Sequence, residues 1–334
     1  MTSHQCRIRK VEPVSREKWL SYCCKSQGVT FFHTPMWAEL FIRYNPRVFR
    51  NSTRRLIFSD GNEVLLPLVK KRLLFGLHSV VSSMPSSTFG GYLSAVPLDD
   101  PHEQLAMKHL NGYSNLIFRE NPYAPVQTVF SDEPGYDDPT MVVDLKDGHD
   151  AVWKRATAGH RNAVRNAEKS GVEIIEATTI NDWMDYSAIY LSSINRWKQR
   201  NIYTGVYYDE RFFMLVAQLK TPLRKLWLAK VKGEAIAGIL CFYWGDHVVV
   251  WHGSGLSEYF SYHPNNMLYN HAIMHAANAG FRWFDTNPSG SLKGVYKFKQ
   301  YLGARPKSSR VFVKYSRSHR LLQTIRDRYR RNST

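Results

Sequence analysis

Residues 225–256 read KLWLAKVKGEAIAGILCFYWGDHVVVWHGSGL. Three apolar runs, rich in β-branched and aromatic residues, are separated by Lys232-Gly233 and Gly245-Asp246. Each break is the two-residue kind that closes a hairpin. The stretch predicts a three-strand meander whose middle strand, AIAGILCFYW, is buried. That run is far short of the ~20 residues needed to span a bilayer.

Working outward, helices and strands alternate on both sides. NNMLYNHAIMHAANAG predicts a helix, FRWFDTN a buried strand, GVYKFKQYLG (294–303) a short helix and SRVFVKYS a last strand. Upstream, residues 150–170 predict one helix that starts at Asp150 and stops at Gly171. VEIIEAT is a strand; INDWMDYSAIYLSSINRW and DERFFMLVAQL are helices. The first 147 residues repeat a similar order, with an Asp60-Gly61 hairpin, a glycine pair at Gly90-Gly91 and a helix HEQLAMKHLNG. No short internal repeat is spelled. Helices mixed with a mostly antiparallel sheet indicate an α+β fold. The expected domains are 1–147, 148–316 and a basic tail at 317–334, with the acidic loop SDEPGYDDPT (131–140) near the junction.

At 334 residues and 43% hydrophobic, the chain is long and apolar enough for two cores, which excludes an intrinsically disordered protein. Cys6, Cys23, Cys24 and Cys241 fit neither a zinc framework nor a disulfide pattern. No secretory signal or membrane span is evident, so a cytoplasmic location is expected. The net charge is +17, and residues 304–334 carry +9 of it. Such a surface favours polyanions: tRNA, anionic lipid or phosphorylated substrates. In the tail, Leu321, Leu322, Ile325 and Tyr329 form a narrow stripe among arginines. This basic amphipathic helix suits tRNA phosphates or peripheral contact at an inner membrane face, or is a disordered tail.

Several residue types carry candidate chemistry. Lys297 and Lys299 flank Phe298, and residues two apart do not share a helix face, so the lysines do different jobs. On the helix 150–170, Val152, Ala156, Ala163 and Ala167 share one face. Lys154, Arg161, Arg165 and Lys169 share the other. Arg161 and Arg165, one turn apart, form either a forked anion clamp or a solvated basic face. Asp285 ends a buried strand, as a general base, an amine-positioning group or a turn cap. His252 is an acid/base candidate or a satisfied strand histidine. Tyr190, Arg196, Trp197 and Tyr203, with Trp37, line a cleft or pack a core. Ser254 lacks the first glycine of a nucleophile elbow. His271 and His275 lack a third metal ligand, so no metal is expected.

FHTPMWAEL (32–40), PSSTFGGYL (85–93), HRNAVRNAEKSGVEI (160–174) and FRWFDTNPSGSLKGVYKFKQYLG (281–303) occur in this order. Together they resemble the Fem-type, FemAB-like branch of the GNAT acyltransferase superfamily, over about residues 30–303. Leu302 stands where that family usually has phenylalanine. The resemblance implies two tandem GNAT-like domains, each with a mostly antiparallel central sheet flanked by helices. It implies an acyl- or aminoacyltransferase acting on a cell-envelope precursor or a related anionic substrate. It also implies that Lys299 stabilises an oxyanion. From the residue reading itself, Asp285 and His252 are the other catalytic candidates, and Arg161, Arg165, Trp37, Tyr190, Arg196, Tyr296 and Lys297 are the substrate-binding candidates. No glycine lies between Gly255 and Gly280, where many GNAT enzymes cradle the pyrophosphate of coenzyme A on a glycine-rich turn. No bound cofactor is expected, and the acyl donor is aminoacyl-tRNA or acyl-CoA. A non-catalytic binding protein using the basic tail is the alternative from another class.

Overall fold

The computed structural model describes residues 6–73, 76–124, 135–200, 207–290 and 292–331, with side chains as far as Thr324. Two units separate: Met1–Asp137 with Ser309–Thr334, and Asp138–Ser308.

The first unit opens with β1 (Ile8–Glu12), α1 (Arg16–Lys25) and α2 (Pro35–Tyr44). Pro35 sits in the first turn of α2, where its missing N–H costs no helix bond. β2 (Phe49–Asn51) precedes the hairpin of β3 (Arg54–Phe58) and β4 (Glu63–Leu66), which turns through Asp60 and Gly61. β5 (Val69–Leu73), β6 (His78–Ser82), α3 (Asp100–Asn111), β7 (Leu116–Arg119) and β8 (Gly135–Asp137) follow.

The second unit runs through β9 (Thr140–Asp144), α4 (Gly148–Arg155), α5 (Ala158–Lys169), β10 (Glu173–Glu176), α6 (Ile180–Gln199) and α7 (Glu210–Ala217). The meander is β11 (Arg224–Val231), β12 (Glu234–Trp244) and β13 (His247–Gly255). Then come α8 (Pro264–Asn278), β14 (Trp283–Pro288), α9 (Lys293–Tyr301) and β15 (Arg305–Lys307). Lys232 and Gly233 both lie at positive φ, 50° and 84°, as a twisted two-residue hairpin requires. The chain ends with β16 (Arg310–Lys314) and α10 (Arg317–Arg331).

In the second unit the sheet order is β10-β11-β12-β13-β14-β9-β15. In the first it is β2-β5-β6-β7-β16-β8, beside a three-stranded sheet β1-β3-β4. Each larger sheet is antiparallel except for one parallel pair, β6–β7 and β13–β14. A parallel pair needs a crossover, and α3 and α8 supply it. The core of the second unit packs Val248, Val250, Ala237 and Ile239 of the sheet against Leu268, Ala272 and Ala276 of α8, with Val152 and Ala167 behind.

Three expectations are corrected. The expected boundary at 147/148 moves to 137/138, because β9 pairs with β14 and β15 of the second unit. The strand SRVFVKYS does not close the second unit at residue 316. As β16 it pairs between β7 and β8 of the first. The helix expected over 150–170 is two helices, because Ala156 is extended and Thr157 begins a new one by accepting the His160 N–H at 3.2 Å. The segment after residue 316 is α10. His319 is buried and stacks on Tyr315, with ring centroids 4.5 Å apart. Leu321 is exposed and Leu322 half-buried, while the side chains of Ile325 and Tyr329 lie outside the described residues.

Candidate active site

β13 and β14 pair only from His247–Trp283 to Val249–Asp285. Beyond that point each strand carries a bulge. On β13 the register against β12 slips between Val250 and His252, so Trp251 is the extra residue. On β14 the register against β9 slips between Asp285 and Pro288. A bulge bends and twists its strand, and the two bulges lie where the parallel ladder ends. The result is a wedge bounded by the end of β13 on one side and Asn287-Pro288 on the other. The side chain of Asn287 reaches across its apex, Nδ2 donating to Val250 O at 2.8 Å.

Lys299 stands behind this apex. It is the buried residue of α9, only 4% exposed. Its ammonium donates to Asn287 O at 2.7 Å and Pro288 O at 3.1 Å. Burial pushes its pKa down to about 8, and the charges of Asp285 and Asp138 oppose that fall. Asp285 is fully buried. It accepts from the Thr140 hydroxyl at 2.5 Å and from the Asn287 N–H at 2.6 Å. Lys299, Asp285 and Asn287 therefore form one connected group where β14 leaves the sheet. Phe298 packs edge-on to Tyr269, with centroids 5.3 Å apart. Tyr296 is half-buried against the same core, and Lys297 is exposed. The two lysines thus occupy opposite environments.

His252 lies past the β13 bulge, on the sheet face covered by α6 and α7. Tyr190, Tyr186 and Phe213 surround it, the nearest centroid at 4.5 Å, and its Nδ1 is 3.1 Å from the Tyr186 hydroxyl. Burial lowers its pKa to about 4, so it is neutral and a weak base at pH 7. Tyr190 is fully buried and its hydroxyl accepts the Tyr208 N–H at 3.2 Å. Arg196 donates to Gly255 O at 3.2 Å and Ser193 Oγ at 3.3 Å, fastening the end of β13, and its guanidinium lies 5.1 Å from the Phe260 ring centre. Tyr203 lies outside the described residues.

The structure does not gather the other candidates at the wedge. Trp37 belongs to the first unit, fully buried, with its indole N–H on Thr88 Oγ1 at 2.9 Å. It is core there, because Phe32 and Phe41 pack against it with ring centroids 4.9 Å away, one tilted and one edge-on. Arg161 caps the preceding helix: its Nη1 donates to Ala156 O at 2.5 Å, Trp153 O at 3.3 Å and Lys154 O at 3.4 Å. Those carbonyls have no partner within α4 itself, and a cation at a helix C-terminus suits them. Arg165 is exposed, 3.2 Å from Asn162 Oδ1. Arg161→Ala is expected to lower stability by about 1 kcal/mol in denaturant unfolding. Arg165→Ala is expected to stay within about 0.5 kcal/mol of the wild type.

Sequence reasoning missed Asn287 and Thr140. A signal for the first was present, since Asn-Pro marks a turn. Thr140, far from Asp285 in sequence, left no local sign.

Residues 154–300 match the model of the acetyltransferase (GNAT) domain family. The chain superposes on the crystal structure of FemX with a TM-score of 0.66 at 11% identity, covering 95% of this chain and 99% of that one. It also superposes on the C-terminal domain of a protein described as a lysylphosphatidylglycerol synthetase from Agrobacterium fabrum, with a TM-score of 0.54 at 9% identity, covering 93% and 96%. A conserved protein of unknown function from Bacteroides thetaiotaomicron gives 0.52 at 10% identity, covering 92% and 100%. No curated protein matches the chain significantly. At such identities the superpositions speak for fold, and the meander, the single parallel pair and the parting strands speak for the same fold. Residues 154–300 are thus similar to the GNAT acetyltransferase domain, and the chain as a whole shares the two-unit α+β fold of FemX.

Proposed function

We propose that this chain is an acyl- or aminoacyltransferase that delivers its acyl group to an amine or hydroxyl of a cell-envelope precursor or a related anionic substrate. One observation carries the proposal: a buried ammonium, Lys299, is held on two backbone carbonyls where β13 and β14 part. Acyl transfer needs a donor carbonyl placed in a gap and a fixed positive charge where the oxyanion develops. Two N–H bonds of Lys299 hold the ammonium on these carbonyls, and the proposal assigns the third to the oxyanion. Asp285 keeps that charge from being lost to burial, and Asn287 braces the strand end. Arg165 and Lys297 are exposed cations that suit an anionic substrate.

The +17 charge supports an anionic partner. The name lysylphosphatidylglycerol synthetase, carried by one structural neighbour, describes an amino acid joined to an anionic lipid. For the donor, the glycine-free stretch after Gly255 favours aminoacyl-tRNA. The match to an acetyltransferase family model favours acyl-CoA, which is the second reading. Peripheral contact of α10 with anionic lipid fits its basic sequence. Among the described residues no helix is long and apolar enough to cross a membrane.

The test is binding of labelled aminoacyl-tRNA to the full chain at physiological salt, with uncharged tRNA and acetyl-CoA as competitors. Preference for charged tRNA supports aminoacyl transfer. Displacement by acetyl-CoA moves the assignment to acyl-CoA chemistry. Salt-sensitive binding that ignores the aminoacyl group, with no acetyl-CoA binding, overturns both and leaves only the net charge.

A further inference from the structure

We infer that Asn287 is the positioning residue that sets the apex of the β13–β14 wedge, an inference that rests on the acyl-donor assignment above. Asn287 lies at φ +62°, a left-handed conformation that costs a side chain energy and that asparagine tolerates better than most residues. Three bonds hold it there. Its N–H donates to Asp285, its carbonyl accepts from Lys299, and its side-chain amide donates across the wedge to Val250 O. One half-buried residue thus ties together the two diverging strands and the buried ammonium. Strain of this kind persists where the surroundings over-determine it.

The first unit supplies an internal comparison. Phe118-Arg119-Glu120-Asn121-Pro122 repeats Phe284-Asp285-Thr286-Asn287-Pro288 as F-x-x-N-P, at the end of the equivalent parallel strand. Both phenylalanines are fully buried. Asn121 also donates its side-chain amide to a backbone carbonyl, Gly28 O at 2.9 Å. There the likeness ends. Beyond the β6–β7 ladder, Arg119 N–H donates to Ser83 Oγ at 3.0 Å and Arg119 O accepts the Gly90 N–H at 3.1 Å. The chain's own 83–90 segment occupies the strand end in the first unit. In the second, the bond across the split is the asparagine side chain itself. Asn121 is therefore a packing device, and Asn287 is the same device moved to the edge of a gap.

The test compares the full-length wild type with Asn287→Gly and Asn287→Asp. Glycine accepts φ +62° without strain, which offsets part of the stability lost with the tie to Val250. Aspartate tolerates the same backbone but sets an oxygen against Val250 O. Three quantities are read: the unfolding midpoint, amide exchange over 285–290, and affinity for acetyl-CoA and for aminoacyl-tRNA. The expected result is a folded Asn287→Gly variant with a midpoint only modestly lowered, faster exchange at 285–290, and donor affinity lowered about tenfold or more in both variants. A wild type that binds a donor, beside an Asn287→Gly variant that binds it equally well, overturns the positioning role alone. Unchanged exchange in Asn287→Gly likewise overturns it, since the tie would then not set the strand end. A wild type that binds neither donor overturns the acyl-donor assignment, and the positioning role falls with it.

Discussion

Replacing Lys299 by alanine is expected to lower kcat by about 100-fold or more, measured with whichever donor the binding experiment selects. The ammonium is buried, fixed on the carbonyls of Asn287 and Pro288, and stands at the strand split. An oxyanion in a water-poor site gains far more from a fixed cation than it would in water. Lys299→Met keeps most of the side-chain volume and separates the lost charge from a cavity. The pH dependence adds a second readout. With a pKa of about 8, Lys299 is charged below that pH and loses its proton above it. Activity that depends on the ammonium should therefore fall as pH rises through about 8, and the methionine variant should lack that limb. Stability runs the other way. The native pKa lies below the ordinary lysine value of 10.5, so between about pH 8 and 10.5 the unfolded chain binds more protons than the folded one. This group then adds stability as pH rises across that window. A lysine that only fills the core would show the stability trend without the activity limb, and kcat near wild type in Lys299→Met would remove it from the mechanism.

The second unit was the more legible half. The meander, its two turns and the flanking helices follow from local pattern, because strand alternation and turn residues act within a few positions. The different environments of Lys297 and Lys299 also follow from helix geometry, since residues two apart face different ways. Pairing choices were not legible. RVFVK alternates equally well for either sheet, and only the free edges of β7 and β8 decide that β16 belongs to the first unit. The break at Ala156-Thr157 carries no glycine or proline. It turns on a threonine cap competing with helix continuation, a contest of about 1 kcal/mol that the basic stripe concealed. Arg161 followed the same error: on one long helix it faces solvent, and on two it closes the first. Asp285 was visible as a strand-end carboxylate, but its partner Thr140 is 145 residues away.

Asp285→Ala is expected to destabilise the second unit by about 3–5 kcal/mol, the largest stability effect of the group. Asp285 has no exposure to soften the loss. Its removal strands the Thr140 hydroxyl and the Asn287 N–H, each inside the fold, and an unpaired buried donor costs about 1–3 kcal/mol. It also withdraws a charge that supports the Lys299 ammonium, so the pKa of Lys299 falls further and the descending limb of the activity profile moves to lower pH. Asp285→Asn keeps an acceptor for the two donors while losing the charge. It should therefore cost less stability than alanine yet shift the pH limb by a similar amount. The double variant Asp285→Ala with Lys299→Met tests whether the two residues act as a unit. With the buried cation gone, the missing carboxylate matters less, and the combined loss should fall short of the sum by at least about 1 kcal/mol. Denaturant unfolding of the two single variants and the double measures this directly. Strict additivity would mean that Asp285 serves only Thr140 and the Asn287 turn, and that Lys299 keeps its proton without it.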